Sequence, residues 1–226
     1  MIAGLQEQEA HLGQQTRHAL SSRERSREAA KRLFSQKGYE STSISQIARL
    51  AGTSESQVIY HFGGKAGLLR AVLEDAWEQI NRAVRLAIAK SPSSLDKLRL
   101  SFNIVLASFE KDAGLGTLVL LEGPRLRRGQ HMIVLTQGYQ EFIGILDGIL
   151  KEIADRGELA EQIMPEAFRS GIIGLVEGML RHQLLGRTCG FPASYSEADI
   201  WTLVSTLLSA CLRSERQKPR ILSISK

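Results

Sequence analysis

The chain has 226 residues, of which 43% are hydrophobic and 23% charged, and its formal net charge is +5. These fractions are those of a globular protein with a hydrophobic core and argue against a disordered chain. Its apolar runs fall short of the roughly 20 residues of a membrane-spanning helix, and its two cysteines are too few for a disulfide framework. We therefore expect a cytoplasmic protein with no membrane partner.

The positive charge is concentrated near the N-terminus. Residues 1–70 hold 10 Lys and Arg against 6 Asp and Glu, a surplus of 4, whereas the rest of the chain holds 19 against 18. A basic module at one end of a near-neutral chain suits binding to phosphates. An ordinary solvated basic face would show the same surplus, so the charge alone does not decide between them.

The first predicted helix begins at Ser21 or Ser22, after a tail, residues 1–21, that shows no clear periodicity and is expected to be flexible. Either serine can cap the start of the helix. Gly38 closes it, because glycine tolerates the left-handed conformation common at helix ends. Apolar residues recur between these points on one stripe at helical spacing, namely Ala29, Ala30, Leu33 and Phe34.

Two short helices are predicted next, one on either side of Gly52. Ser43 with Gln46 three residues later is a capping-box pattern that opens the first of them, and Ser54 with Gln57 repeats it for the second. Two short helices joined by a glycine-containing turn form a helix-turn-helix. The apolar contacts of the second helix are predicted to come from Val58, Ile59 and Phe62.

The second of these helices carries a small polar face that a core helix does not need. The major groove of B-DNA admits one helix, and side chains near the N-terminus of that helix meet base edges. The preceding helix would cross the DNA backbone, and residues just beyond the second helix would meet flanking phosphates. The DNA-binding residues predicted on this basis are Ser43, Ser45, Ser54, Glu55, Ser56, Gln57, Tyr60, His61 and Lys65.

The rest of the chain is predicted to be helical, and no stretch of it has the pattern of a strand. A long helix is expected from Lys65 to about Lys90. Further helical segments are expected at 95–112, 115–128, 131–156, 165–187 and 196–215. The result is an all-α chain of about nine helices, with a helix-turn-helix domain at 22–70, a helical regulatory and dimerisation domain at 71–215 and a flexible tail at 216–226.

One segment, AAKRLFSQKGYESTSISQIARLAGTSESQVIYHFGGKAGLLRAVLE, resembles the DNA-binding domain of TetR-type (tetracycline repressor-like) regulators. The matches occur in order and at fixed spacing, as AA..LF...GY..TSI..IA..AG.S followed by HF..K..LL..V. The resemblance covers roughly residues 26–74, about a fifth of the chain.

The resemblance implies an N-terminal three-helix DNA-binding domain followed by a larger helical domain for ligand binding and dimerisation. It implies a ligand-responsive regulator, in this family usually a repressor, that binds a palindromic double-stranded operator as a homodimer. A small, mostly apolar effector would release it, and no cofactor or metal is expected. Phosphate contacts are implied for Ser43, Tyr60, His61 and Lys65, and base reading for Ser45, Glu55, Ser56 and Gln57.

Two positions depart from the family pattern. Ser56 stands where the family commonly has Gly, and Ile59 stands where it commonly has Tyr. The aromatic ring appears one place later, at Tyr60, so one expected phosphate or base contact at position 59 is lost. Two structural roles remain open: Tyr60 and His61 would pack the end of the helix onto the next one, and Lys65 would be a solvated lysine.

Candidates for ligand binding are polar groups embedded in apolar runs of the C-terminal part, because a buried charge is costly unless it is paired. The set is Asn103, Phe109, Glu122, Tyr139 and Glu177. Phe109 is included as an aromatic ring, although it suits a position in the hydrophobic core. Dimerisation is expected to use two segments, a glycine-containing one at 166–180 and the apolar run ADIWTLVSTLLSACL.

Two other classes of function compete with a DNA-binding regulator. An all-α small-molecule-binding or interaction protein with a lapsed DNA-binding head would also explain the departures at Ser56 and Ile59. An enzyme is not expected, because the sequence has no glycine-rich phosphate loop, no nucleophile elbow and no Cys/His set at metal-ligand spacing.

Overall fold

The structure is a computed structural model that describes residues 20–122 and 136–212, without the side chains of residues 121, 122, 188 and 197. Within these ranges it contains nine α-helices, and its only β pairing is a single bridge between Leu159 and Leu212. The prediction of an all-α chain is therefore confirmed. The two predicted tails, 1–21 and 216–226, lie outside the described residues apart from Leu20 and Ser21.

The helices follow the predicted segments closely, with one exception. A helix was expected over 115–128, but this region holds a five-residue helix and then a π-helical turn, Leu118–Glu122. The rest of that segment is outside the described residues. The nine helices are α1 Ser22–Lys37, α2 Ile44–Ala51, α3 Glu55–Phe62, α4 Lys65–Ile88, α5 Ser94–Lys111, α6 Ala113–Thr117, α7 Gln137–Asp155, α8 Pro165–Cys189 and α9 Glu197–Cys211.

Serine caps begin the first three helices. At the start of α1, Ser21 Oγ accepts from the Glu24 amide and the Glu24 carboxylate accepts from Ser21, which forms a complete capping box. These hydrogen bonds from Ser21 lower the pKa of Glu24. The predicted box at the start of α2 is also complete.

The predicted box at the start of α3 is only half formed. Ser54 Oγ accepts from the Gln57 amide at 3.2 Å, but the Gln57 side chain accepts from the Thr53 hydroxyl instead of returning to Ser54. The Gln57 amide group therefore lies on the exposed outer side of the turn. The expectation of a complete second capping box was wrong in this respect.

The described residues divide into two compact units. The first comprises 20–78, 111–122 and 136–138, and the second comprises 79–110 and 139–212. Helix α4 contributes its first half to one unit and its second half to the other. The predicted boundary between residues 70 and 71 falls inside α4, and it stays a prediction.

The first unit is built on one hydrophobic core. The apolar stripe predicted on α1 is buried in it, together with one face of α2, a single residue of α3 and the start of α4. Fully buried side chains such as these stabilise a fold by about 1.5–3 kcal/mol each. The core residues include Ala30, Leu33, Phe34, Ile47, Ala48, Ala51, Val58, Leu68, Leu69, Val72, Leu73 and Leu118.

The second unit has its own buried apolar residues, drawn from α5, α7, α8 and α9. One ion pair in this unit joins Lys97 of α5 to Glu152 of α7 at 2.8 Å, and the same carboxylate accepts from Ser94. These two hydrogen bonds lower the pKa of Glu152. The buried residues include Phe102, Leu106, Leu146, Leu150, Ile153, Ile172, Val176, Ile200, Val204 and Leu208.

The junction between α3 and α4 requires glycine at three places. Gly63 and Gly64 have positive φ angles of 70° and 114°, which side chains disfavour. Gly67 has an ordinary backbone, but a β-carbon there would overlap the carbonyl oxygen of Phe62, the last residue of α3. The close approach at Gly67 therefore sets where α3 ends relative to α4.

We predict that Gly67→Ala destabilises the protein by about 1–3 kcal/mol, because the added methyl must displace the backbone of Phe62. The matched control is Gly148→Ala in α7, where a β-carbon would meet nothing within 4 Å. That change should be neutral or stabilise by up to about 1 kcal/mol, because alanine is the better helix former. Thermal unfolding of the two variants checks this, and equal melting temperatures would contradict it.

Candidate nucleic-acid interface

The turn between α2 and α3 is closed by a glycine and an arginine. Gly52 takes the left-handed conformation, with φ 62° and ψ 46°, and its amide donates to the last turn of α2. Arg25 of α1 donates from Nε to the carbonyl of Ala51 at 3.0 Å and from its terminal nitrogen to Leu20 at 2.8 Å. A cation at the C-terminal end of α2 also complements the helix dipole. Together these contacts fix the direction in which α3 starts.

Helix α3 is anchored on one side only. Val58 is fully buried, and Phe62 is half-buried one turn later on the same side of the helix. The guanidinium of Arg23 lies over the Phe62 ring, 5.6 Å from its centroid. Because a single stripe provides all the attachment, the opposite side of α3 remains open to solvent.

The predicted reading residues lie on that open side. Ser54, Glu55, Ser56 and Gln57 are all exposed, and the hydroxyls of Ser54 and Ser56 share a hydrogen bond of 2.9 Å. On α2 the predicted contacts at positions 43 and 45 are also exposed. A duplex that approached this face would therefore meet polar side chains that are not covered by other parts of the first unit.

Tyr60 and His61 occupy different environments although they are adjacent. Tyr60 is 86% exposed, so it does not pack the end of α3 onto α4. His61 is half-buried, and its Nε2 shares a hydrogen bond of 3.1 Å with the Ser22 hydroxyl at the start of α1. Tyr60 is thus accessible to a phosphate, whereas His61 ties the end of α3 to α1 through its Nε2.

Lys65 is directed into the protein rather than towards solvent. Its ammonium donates to the carbonyls of Tyr39 and Thr42, each at 3.0 Å, with that of Glu40 at 3.4 Å. The same ammonium lies 4.4 Å from the centroid of the Tyr39 ring. The sequence predicted a phosphate contact, but the geometry assigns the donors of Lys65 to the loop that leads into α2. The alternative of a merely solvated lysine does not fit these contacts, and the phosphate contact stays a prediction.

Several residues that shape this interface were not predicted from the sequence. Arg25 and Thr42 are among them: the Thr42 hydroxyl is buried and donates to the Gly38 carbonyl at 2.8 Å, which closes the loop after α1. Ile59 was expected to make an apolar contact within the domain, but 49% of it is exposed. Leu50, at the end of α2, is also 42% exposed. Helical periodicity reports the buried stripe and gives no signal for such contacts between loops and side chains.

Part of the basic charge of this unit is neutralised internally. Arg27 pairs with Asp75 at 3.0 Å, and Lys31 pairs with Asp112. Burial raises the pKa of Asp112, but the hydrogen bonds from Lys31 and Leu115 outweigh it and leave that pKa lowered. The surplus charge seen in the sequence is therefore not all available to DNA. Arg49 lies on the exposed side of α2, so burial does not keep its charge from a DNA phosphate.

The predicted ligand-binding residues differ in their exposure to solvent. Asn103 is exposed on α5, and Phe109 is buried in the core, in keeping with the core role it equally suited. The side chain of Glu122 lies outside the described part of the structure. Tyr139 and Glu177 are both half-buried in the second unit.

Tyr139 and Glu177 interact electrostatically. Burial raises the pKa of Glu177, and Arg181, one turn along α8, opposes that rise. Burial also raises the pKa of Tyr139, and the charge of Glu177 raises it further while Arg169 acts the other way. Arg169 itself forms an ion pair with Asp147. The second unit thus contains a half-buried polar cluster, Tyr139, Asp147, Arg169, Glu177 and Arg181, within largely apolar surroundings.

Two other kinds of feature are absent from the described residues. No helix in these ranges is long and apolar enough to cross a membrane. No group of three or more His, Cys, Asp or Glu side chains in the same ranges is arranged to hold a metal ion.

The sequence of the helices that form this interface matches a known protein family. Residues 27–72 match the family model described as bacterial regulatory proteins, tetR family. The match covers most of α1, all of α2 and α3 and the first turns of α4, which are the helices that build the interface.

Similarity to individual proteins extends beyond the matched domain. The fatty acid metabolism regulator protein of Bacillus subtilis is 25% identical over 152 residues, which cover 66% of this chain and 77% of that protein. The HTH-type transcriptional regulator TtgR of Pseudomonas putida is 27% identical over 167 residues, 70% of this chain and 78% of that protein. The solved structure of the transcriptional regulator FadR from Bacillus subtilis in complex with stearoyl-CoA superposes with a TM-score of 0.67 at 22% identity, covering 83% of this chain and 96% of FadR.

We predict that Lys65→Met lowers stability by about 1.5–3 kcal/mol, because it removes charged hydrogen bonds to main-chain carbonyls. The salt dependence of DNA binding should stay the same, because no phosphate contact is lost. Arg49→Met is the control, since that exposed cation is free to approach DNA. Thermal melts and binding titrations over a salt series separate the two roles. A salt slope that falls by about 0.9 with an unchanged melt would show that Lys65 contacts a phosphate.

Proposed function

Because the chain belongs to the TetR-type regulators, we propose that it is a ligand-responsive transcriptional repressor that binds a palindromic DNA site as a homodimer. The observation that carries this proposal is the exposed polar side of α3, a helix that Val58 and Phe62 anchor through its other side. A DNA-binding head that had lapsed would be under no constraint to keep that side polar and accessible.

In the proposed complex α3 lies in the major groove. Ser56 and Gln57 would donate to or accept from base edges, and Glu55 would accept from a cytosine amino group. Ser43, at the N-terminus of α2, and Tyr60 would contact the phosphates that border the groove. Lys65 and His61 would act indirectly, because they hold the loop after α1 and the end of α3 in place.

Dimerisation is proposed to use α8 and α9. Leu203 and Leu207 of α9 are 39% and 40% exposed, and a shallow groove on the same helix is lined by Trp201, Thr202, Ser205, Thr206 and Ser209. On α8, Gly171 and Gly174 face open space, so another helix could approach closely. A dimer also follows from the reading mechanism, because one short helix contacts only a few base pairs and a two-fold pair doubles that number.

The effector is proposed to be an amphipathic molecule with a large apolar part. The polar cluster of the second unit would receive its polar end, and Arg181 supports this because its buried Nε has no hydrogen-bond partner within the described residues. The Bacillus subtilis FadR structure holds stearoyl-CoA, a molecule of this class. Binding of the effector would shift the equilibrium between DNA-competent and DNA-incompetent forms by as much as its affinities for the two forms differ.

We predict that selection from a pool of random duplexes yields a palindrome with half-sites about 34–36 Å apart, or a multiple of that distance. Binding to the selected duplex should weaken linearly on a log–log plot against salt concentration, because basic side chains displace counterions from phosphates. The measurement is sequencing of bound DNA followed by titration. Binding that selects no sequence and is indifferent to salt would favour the small-molecule-binding or interaction protein instead.

Two exposed leucines test where the dimer interface lies. Leu207→Asp should shift the protein towards monomer in light scattering and weaken binding to the selected palindrome, because the two-fold axis brings the new charges together. Leu86→Asp is the matched control, since Leu86 is 65% exposed on α4. If both variants dimerise and bind like the parent, α9 is not the dimer interface.

We predict that Glu177→Gln melts at a higher temperature than the parent near neutral pH. The pKa of Glu177 is raised by burial, so its ionised form disfavours the folded state. This penalty is absent below the ordinary Glu value of 4.5 and grows as the pH rises through the folded pKa, so the two proteins should converge in acid. Glu110→Gln, at an exposed position, is the control. A lower melt for Glu177→Gln at neutral pH would show that the charge stabilises the fold.

A further inference from the structure

Ile59 is an apolar residue on the open side of α3. It is 49% exposed, whereas its neighbour Val58 is fully buried. Helical spacing places Ile59 three residues after Ser56, so the two side chains lie on the same outward strip. The other exposed residues of α3 are polar, so Ile59 is the one exposed aliphatic side chain of this helix.

The exposure of Ile59 does not come from a weak attachment of the helix. Val58, about 100° away around the helix, already anchors α3 in the core, and the turns at both ends are capped. Ile59 is therefore an exposed apolar side chain on a helix that other residues hold in place. A partner that approaches the reading face would remove this apolar surface from water.

The floor of the major groove presents one apolar group, the C5 methyl of thymine. We propose that Ile59 selects thymine by covering this methyl group. The inference rests on the proposed function, because it requires that α3 enter the groove. Ser56 is one turn nearer to the N-terminus of α3, so the base pair read through its hydroxyl would neighbour the thymine covered by Ile59.

The chemistry can be tested by removing one methyl group from the DNA. Each thymine of the selected duplex is replaced in turn by deoxyuridine, which keeps its base pairing and lacks only the C5 methyl. We expect about a fourfold loss of affinity at one thymine in each half-site, the effect of one buried methyl group. For Ile59→Ala the same replacement should change the affinity by less than half of that factor.

Two control variants separate this contact from general effects. Ile59→Val keeps a branched apolar side chain and should retain most of the difference between thymine and deoxyuridine. Leu50→Ala removes the other exposed aliphatic side chain of the two reading helices and should retain the difference in full. Unchanged melting temperatures of all three variants show that they are folded, as expected for exposed positions.

Each outcome decides the inference. A selected palindrome whose thymines all tolerate deoxyuridine would overturn the role of Ile59 and leave the proposed function standing. A loss that is equal in the parent and in Ile59→Ala would assign the effect to the shape of the DNA and overturn it too. Failure to select any duplex would remove both the proposed function and this contact.

Discussion

The architecture of the DNA-binding unit depends on the one-sided attachment of α3. Val58 is buried in the core formed by α1, α2 and the start of α4, and Phe62 extends the attachment by one turn. Eight residues make a helix that is only marginally stable by itself, so this burial is what holds it. Because the contact uses a single stripe, the remaining sides of α3 are free to carry residues chosen for recognition rather than for packing.

Charged side chains contribute to this unit mainly by holding backbone. Arg25 donates to a carbonyl at the end of α2, and Lys65 donates to three carbonyls of the loop that precedes α2. Carbonyl oxygens at loops and helix ends lack partners in the regular helix, and cations satisfy them with stronger hydrogen bonds than neutral donors. A basic composition near the N-terminus thus serves two purposes, the internal bracing of a small domain and an attraction for phosphates.

The second unit differs from the first in that it contains several half-buried polar groups among apolar residues. Tyr139, Glu177 and Arg181 are partly removed from water, and burial raises the pKa of both acidic groups. A charged group that is partly removed from water costs stability unless it is paired, and we propose that the polar end of an effector completes this site. On its surface the same unit has exposed leucines on α9 and glycines on α8 that face open space, and both features suit an interface between protomers.

The sequence by itself determined most of the helices, the capping serines of the first three, the buried stripe of α1 and the polar side of α3, because these depend on local spacing along a helix. Only the tertiary structure decided the partners of Lys65 and His61 and the exposure of Ile59 and Asn103. Those contacts join residues far apart in the chain, such as Lys65 with Tyr39 or His61 with Ser22. Helical periodicity specifies which side of a helix faces inward, but it does not specify which distant backbone atoms lie opposite.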